Sequence, residues 1–229
     1  MLQAVIFDCD GVLADSEGVH LRAFQEVLSG EGITLSREDY FARYLAMDDR
    51  GCFNAVFRDA KRPLDNARLG ELVRRKSEVY LEATKTGVAL IPGAPELVRG
   101  LARRLPCAIA SGALRHEVDL VLRAGSLAST FRVIVTAEDV SRGKPDPESY
   151  ETALARLNEA RAGNPAIGPA DCLVVEDSRH GVAAARAAGM PCLAITTSYP
   201  PEALRGADWV VETFVGLDPQ DLLDRFSGR

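Results

Sequence analysis

Four short polar clusters hold the residue types in this chain that could do chemistry. They are Asp8-Cys9-Asp10-Gly11, Ser111-Gly112, Gly143-Lys144-Pro145-Asp146-Pro147 and Glu176-Asp177-Ser178. Each lies beyond an apolar run, and in an open parallel sheet ligands bind at the carboxyl ends of the strands. Strands ending at these clusters would bring two carboxylates, a hydroxyl, an ammonium and two more carboxylates to one rim. Four neighbouring carboxylates cannot all stay ionised without cations, and one lysine is not enough. A divalent metal with oxygen ligands answers that need, and Mg²⁺ suits a few carboxylates together with waters and a substrate phosphate. Along an extended chain Asp8 and Asp10 turn the same way and Cys9 the other. Gly11 then lets the backbone turn sharply.

Composition gives Lys144 added weight. The chain carries only four lysines, Lys61, Lys76, Lys85 and Lys144, among 27 basic residues. A compact ammonium before Pro-Asp-Pro can neutralise a carboxylate and touch a phosphoryl oxygen as a point charge.

The elements that must position these groups are readable as apolar runs. Ala4–Phe7, Cys107–Ala110, Val133–Val135, Cys172–Val175, Cys192–Ile195 and Trp209–Val211 are continuous rather than alternating. Such runs suit parallel strands covered on both faces. Helical spacing lies between them: Leu97, Val98, Leu101 and Leu105; Val118, Val121 and Leu122; then Tyr150, Ala153, Leu154 and Leu157. From residue 92 onward strand and helix alternate, which predicts an α/β doubly wound sheet. Residues 16–87 break the alternation. Leu21, Phe24, Val27 and Leu28 share one helical face, and Leu69, Leu72, Val73 and Tyr80 another, with no credible strand between. The expected organisation is a core of residues 1–15 and 88–229, with an all-helical second domain, residues 16–87, inserted over the sheet.

The 229 residues carry a net charge of −6, with 47% apolar and 26% charged side chains. Those values exclude a disordered or collagen-like chain. No apolar run approaches the roughly 20 residues of a membrane helix, and the acid at Asp8 comes too soon for a signal peptide. The acidic balance argues against a nucleic-acid surface, but not against an anionic substrate at a local site. Cys9, Cys52, Cys107, Cys172 and Cys192 form no CxxC pair and are expected to be buried, reduced thiols of a cytoplasmic protein. His20, His116 and His180 lack zinc-ligand spacing. His116 and His180 are expected on helix surfaces, and Trp209 in the core. A monomer is the default expectation.

At the four clusters, and at Gly181 and Ala188-Gly189-Met190, the sequence resembles the haloacid dehalogenase-like superfamily. The resemblance is to its β-phosphoglucomutase-like phosphatase branch with an inserted helical cap. The motifs run in family order over residues 1 to about 200. The resemblance implies a Rossmann-like core, a mobile cap, and Mg²⁺-dependent phosphoryl transfer from a small phosphorylated metabolite such as a sugar or polyol phosphate. It makes Asp8 the nucleophile that forms an aspartyl-phosphate. Asp10 becomes the acid for the leaving oxygen and then the base for water. Ser111 and Gly112 would hold a phosphoryl oxygen, and Lys144 would offset charge. Asp8, the backbone carbonyl of Asp10, and Asp177 would hold Mg²⁺, with Glu176 acting directly or through water.

The resemblance also marks His20, on the first cap helix, and Arg50, in the cap's substrate-facing loop, as substrate-side candidates. Arg115 is a similar candidate shortly after Ser111, and Glu17, Tyr44 and Asp49 are candidates to line the cleft. The cap connections near Asp15-Ser16 and Thr86-Gly87 are expected to act as hinges. Two positions depart from the mutases. Aligning on Arg50 places Ala46-Met47 where they carry Lys-Gly, and Leu114 stands where they have another lysine. Both departures favour hydrolysis over a phosphomutase. Retention of Asp10 and Glu176-Asp177 argues against carbon–halogen hydrolysis, and full occupancy of the motif against a catalytically dead sensor.

Overall fold

A computed structural model describes residues 1–45 and 47–227; Ala46 lies outside the described residues. The apolar runs become β1 (Ala4–Phe7), β2 (Cys107–Ala110), β3 (Val133–Val135), β4 (Cys172–Glu176), β5 (Cys192–Ile195) and β6 (Trp209–Val211). All adjacent pairs are parallel, in the order β3-β2-β1-β4-β5-β6. After β1 the chain builds outward through β2 and β3, then returns to build the other half from β4. The carboxyl end of β1 is therefore the point where the winding reverses, and a crevice opens there.

Alternation of Cβ directions gives β1, β2, β4 and β5 two buried faces, while the edge strand β6 is half-buried. Val5, Phe7, Cys107, Ile109, Leu173 and Val175 pack on one side. That side is covered by α5 (Ala94–Ala102), α6 (Arg115–Ala124) and α9 (Pro219–Ser227). Ala4, Ile6, Ala108, Ala110, Cys172 and Val174 pack on the other side, under α7 (Glu148–Glu159) and α8 (Arg179–Ala187). The five cysteines are buried free thiols. Strand and helix alternate as expected except between β5 and β6, where only a 3₁₀ turn, Pro201–Leu204, intervenes. Trp209 is half-buried, with the Arg225 guanidinium 4.4 Å above its ring.

Between β1 and α5 the described residues form helices and no strand. The helices are α1 (Glu17–Gly30), α2 (Arg37–Asp39), a π-helical turn (Tyr40–Tyr44), α3 (Asp49–Asp59) and α4 (Asn66–Ala83). Leu21, Phe24, Val27 and Leu28 of α1 share one core with Leu69 and Leu72 of α4 and Phe53 of α3. Burying each such side chain contributes about 1.5–3 kcal/mol. Both connections to the sheet run side by side. Ala14 bridges Leu90, Asp15 N–H donates to Ala89 O at 2.9 Å, and Ile91 N–H donates to Leu13 O at 3.0 Å.

Candidate active site

β1 delivers Asp8 to the crevice, its N–H donating to Val175 O of β4 at 2.9 Å. Two glycines then make room for crowded carboxylates. Gly11 has φ +71°, and a Cβ there would lie 1.8 Å from Asp177 Oδ2. A Cβ on Gly181, in the first turn of α8, would lie 1.7 Å from Glu176 Oε1. Neither position can carry a side chain while the acids stay where they are.

Lys144 reaches in from the loop after β3. Its Nζ lies 3.0 Å from Asp8 Oδ1 and 2.7 Å from Glu176 Oε1. Glu176 is fully buried and saturated. Oε1 accepts Lys144 Nζ and the Tyr150 hydroxyl at 2.8 Å; Oε2 accepts the N–H groups of Asp177 at 2.7 Å and Ser178 at 2.8 Å. Burial pushes Glu176 up, but Lys144 and these hydrogen bonds outweigh it and hold its carboxyl below the usual range. Asp8 and Asp177 have fewer donors. Burial raises Asp8 to about 7 against the pull of Lys144, with Glu176 and Asp10 adding to the rise. Burial, then Glu176 and Asp8, push Asp177 well up.

Ligand oxygens of Asp8, Glu176 and Asp177 lie within 4.8 Å of one another. A buried trio of hard oxygen donors carrying more negative charge than one ammonium offsets fits a divalent cation such as Mg²⁺.

Asp10 belongs to a different microenvironment. Its Oδ1 accepts the Ser16 hydroxyl and lies 3.2 Å from His20 Nε2. Burial would raise Asp10, yet His20 and Ser16 prevail and hold it at about 2. Burial and Lys76 would lower His20, but Asp10 raises it above its ordinary value. The His20 ring stacks on Tyr80 with centroids 4.5 Å apart, which fixes its orientation. At the end of β2, Ser111 is buried and its Oγ accepts the Ala113 N–H at 3.0 Å.

Asp8, Asp10, Ser111, Gly112, Lys144, Asp177 and His20 thus line one cleft, with Glu176 behind them. Glu17 and Asp49 line it as well. Arg50 and Arg115 do not. Asp48 caps α3 by accepting the Gly51 N–H at 2.8 Å. That start puts Asp49 on the stripe of Cys52, Phe53 and Val56, and turns Arg50 about 100° away into solvent. Arg115 is exposed at the start of α6 and pairs with Asp119 at 3.2 Å. Tyr44 is buried away from the cleft, its hydroxyl donating to Asp59. Tyr40 takes its place and donates to Glu17 at 3.0 Å. His116 is half-buried against Ser77, with Nε2 2.7 Å from Oγ, rather than on a free surface.

Sequence reasoning passed over Asp48 and Lys76. The Asp48 signal was present: an acid three residues before Gly51, opening an apolar helical stripe, reads as an N-cap. Lys76 is fully buried, 2.9 Å from Asp49 and 3.3 Å from Glu117. A lysine on a helix gives no sign of this until its neighbours from other elements are known.

Comparison with known proteins agrees with this fold. The profile of the haloacid dehalogenase-like hydrolases matches residues 2–189. The chain is 33% identical over 216 residues to protein CbbY of Rhodobacter capsulatus, covering 91% of this chain and 92% of that one. It is 32% identical over 192 residues to a phosphorylated carbohydrates phosphatase of Thermotoga maritima, covering 82% of each. Among solved structures, the D10N mutant of CbbY from Rhodobacter sphaeroides, in complex with xylulose-(1,5)bisphosphate, superposes with a TM-score of 0.82. That match has 27% identity and covers 95% of this chain and 96% of the other.

Proposed function

The chain belongs to the haloacid dehalogenase-like hydrolase family, and from that premise we propose that it is a Mg²⁺-dependent phosphatase of small phosphorylated sugars or polyols. The observation that carries this reading is the meeting of Asp8, Asp10, Ser111, Lys144 and Asp177 in one cleft. The phosphatase relative from Thermotoga maritima, and the bisphosphate in the CbbY complex, support a phosphorylated carbohydrate as substrate class.

In this reading an Asp8 carboxylate oxygen attacks phosphorus and the ester oxygen departs with a proton from the Asp10–His20 pair. Water then attacks the aspartyl-phosphate, gives its proton to the same pair, and releases phosphate and free Asp8. Ser111 and the N–H groups around Gly112 orient the phosphoryl group, and Lys144 offsets its charge. Mg²⁺ would be held by Asp8, the Asp10 carbonyl and Asp177, and would supply charge neutralisation on the phosphoryl oxygens. Glu176, with both oxygens already accepting hydrogen bonds, acts through Lys144 and the Asp177 backbone rather than as a direct ligand. Residues 16–87 form the cap that closes over this rim.

Phosphate release from p-nitrophenyl phosphate tests the reading. It should require Mg²⁺ and fall by about 10³-fold or more in Asp8→Asn. Turnover that survives that substitution, or is indifferent to Mg²⁺, would refute it. Release of phosphate should also exceed conversion of β-glucose 1-phosphate into the 6-phosphate, the activity of a mutase.

A further inference from the structure

The cap side of the cleft is acidic where a second phosphate would need cations. Glu17, Asp48 and Asp49 all line it. Among the described lining residues the basic ones are His20 and Lys144, each already facing a carboxylate: His20 faces Asp10, and Lys144 faces Asp8 and Glu176. Lys76, buried behind Asp49, divides its ammonium between Asp49 and Glu117. Arg50 is exposed.

Besides Asp8 Oδ1, which faces the Lys144 ammonium, two polar atoms in this lining are buried and take no hydrogen bond. They are Asp49 Oδ2 and the hydroxyl of Ser149, a residue only 3% exposed. Such groups are costly to leave unpaired, and a carboxylate oxygen can be satisfied only by a donor. Phe24, Leu45 and Met47 complete the wall with apolar surface for a carbon skeleton.

We propose that this wall selects phosphate monoesters whose leaving group carries hydroxyl or ammonium donors, and that it rejects a second phosphate. Asp48 and Asp49 are the specificity-determining residues. Asp49 receives a donor at Oδ2, and Asp48, which closes against Gly143 and Gly112 of the core loops, repels an anion. This inference rests on the phosphatase reading and narrows its substrate class.

The test uses the full chain with Mg²⁺ and compares kcat/KM for p-nitrophenyl phosphate, glucose 6-phosphate, glucosamine 6-phosphate and glucose 1,6-bisphosphate. Both 6-phosphates should exceed the bisphosphate by about tenfold or more, and the faster of the two identifies the preferred donor. Asp48→Asn keeps the helix cap, since asparagine caps as well as aspartate. Asp48→Asn and Asp49→Asn should each narrow that ratio, mainly by lowering KM for the bisphosphate. Loss of packing alone would slow all esters together and leave the ratio where it was. A bisphosphate turned over as well as the monoesters, or a ratio untouched by both variants, overturns the inference while aryl phosphate turnover keeps the phosphatase reading intact. If no ester releases phosphate, that reading falls and this inference with it.

Discussion

Asp8, Glu176 and Asp177 share one dry rim, yet hydrogen bonding separates their behaviour. Glu176 receives four donors and stays acidic, whereas Asp8 and Asp177 receive fewer and are pushed up. A carboxyl whose folded pKa exceeds its unfolded value binds its proton more tightly in the native state. Stability therefore falls as pH rises from the ordinary 3.8 towards about 7 at Asp8. Asp10 has the opposite sign: its contribution is present above 3.8 and is lost as pH falls towards about 2. With a chelator present, the unfolding midpoint should decline between pH 5 and pH 8. Mg²⁺ should raise it clearly at pH 8 and little at pH 5, because at the lower pH protons already occupy the acids. A Mg²⁺ increment equal at both pH values, in a thermal melt, would remove the rim as the metal's site. The four polar clusters were legible because acids, a hydroxyl and a scarce lysine beyond successive apolar runs are rare by chance. The Asp8–Asp10 contrast was not, since it depends on Ser16 and His20 folding back from the insert.

At the scale of elements, two helical glycines separate packing from propensity. Gly70 sits exposed inside α4 with nothing within 4 Å of a built Cβ, so Gly70→Ala should stabilise by about 0.5–1 kcal/mol. Gly181 also lies in a helix and would gain as much intrinsically, but its Cβ would strike the Glu176 carboxylate. Overpacking typically costs about 1–3 kcal/mol, and the displaced acid is the one that holds Lys144 and Tyr150. Gly181→Ala should therefore lower the melting temperature and turnover together, while Gly70→Ala raises the first and leaves turnover alone. A stabilised, fully active Gly181→Ala protein would show that Glu176 is not clamped. Continuous apolar runs made all six strands readable, and two amphipathic faces made α1 and α4 readable. Residues 36–60 resisted because a three-residue helix and a π-helical turn have no periodicity to detect. Their order comes from burial by α1 and α4; the resemblance marked Arg50 as well as Asp49 for the cleft, and the Asp48 cap admits only Asp49.

For the whole molecule, a net charge of −6 says little about the substrate, since the local balance at the rim is set by Lys144 and, in the proposed reading, by a cation. What the molecule must still do is admit substrate to a cleft roofed by its own insert. Several of the contacts that hold the roof down are polar, beside the apolar packing that the insert shares with the core. His20 faces Asp10, Lys76 faces Glu117, Ser77 meets His116, and Asp48 leans on the loops at Gly112 and Gly143. Polar contacts exchange readily for water, so opening forfeits less than parting an apolar interface of the same size would. The paired backbone segments at Ala14 and Leu90 are the connection that a swing of the insert would have to keep intact. Cysteines introduced at exposed Asn54 and Arg103 can be labelled selectively because the five native thiols are buried. Energy transfer between them should report two exchanging populations, with Mg²⁺ and inorganic phosphate favouring the shorter distance. Glu117→Gln removes the core's charge from the Lys76 contact and should shift the free protein towards the longer distance. Its turnover of p-nitrophenyl phosphate should change less than its distance distribution, because Glu117 touches neither the phosphoryl group nor the acids at the rim. One distance, unmoved by ligand or by Glu117→Gln, would mean that the insert is a fixed wall and that substrate enters by another route.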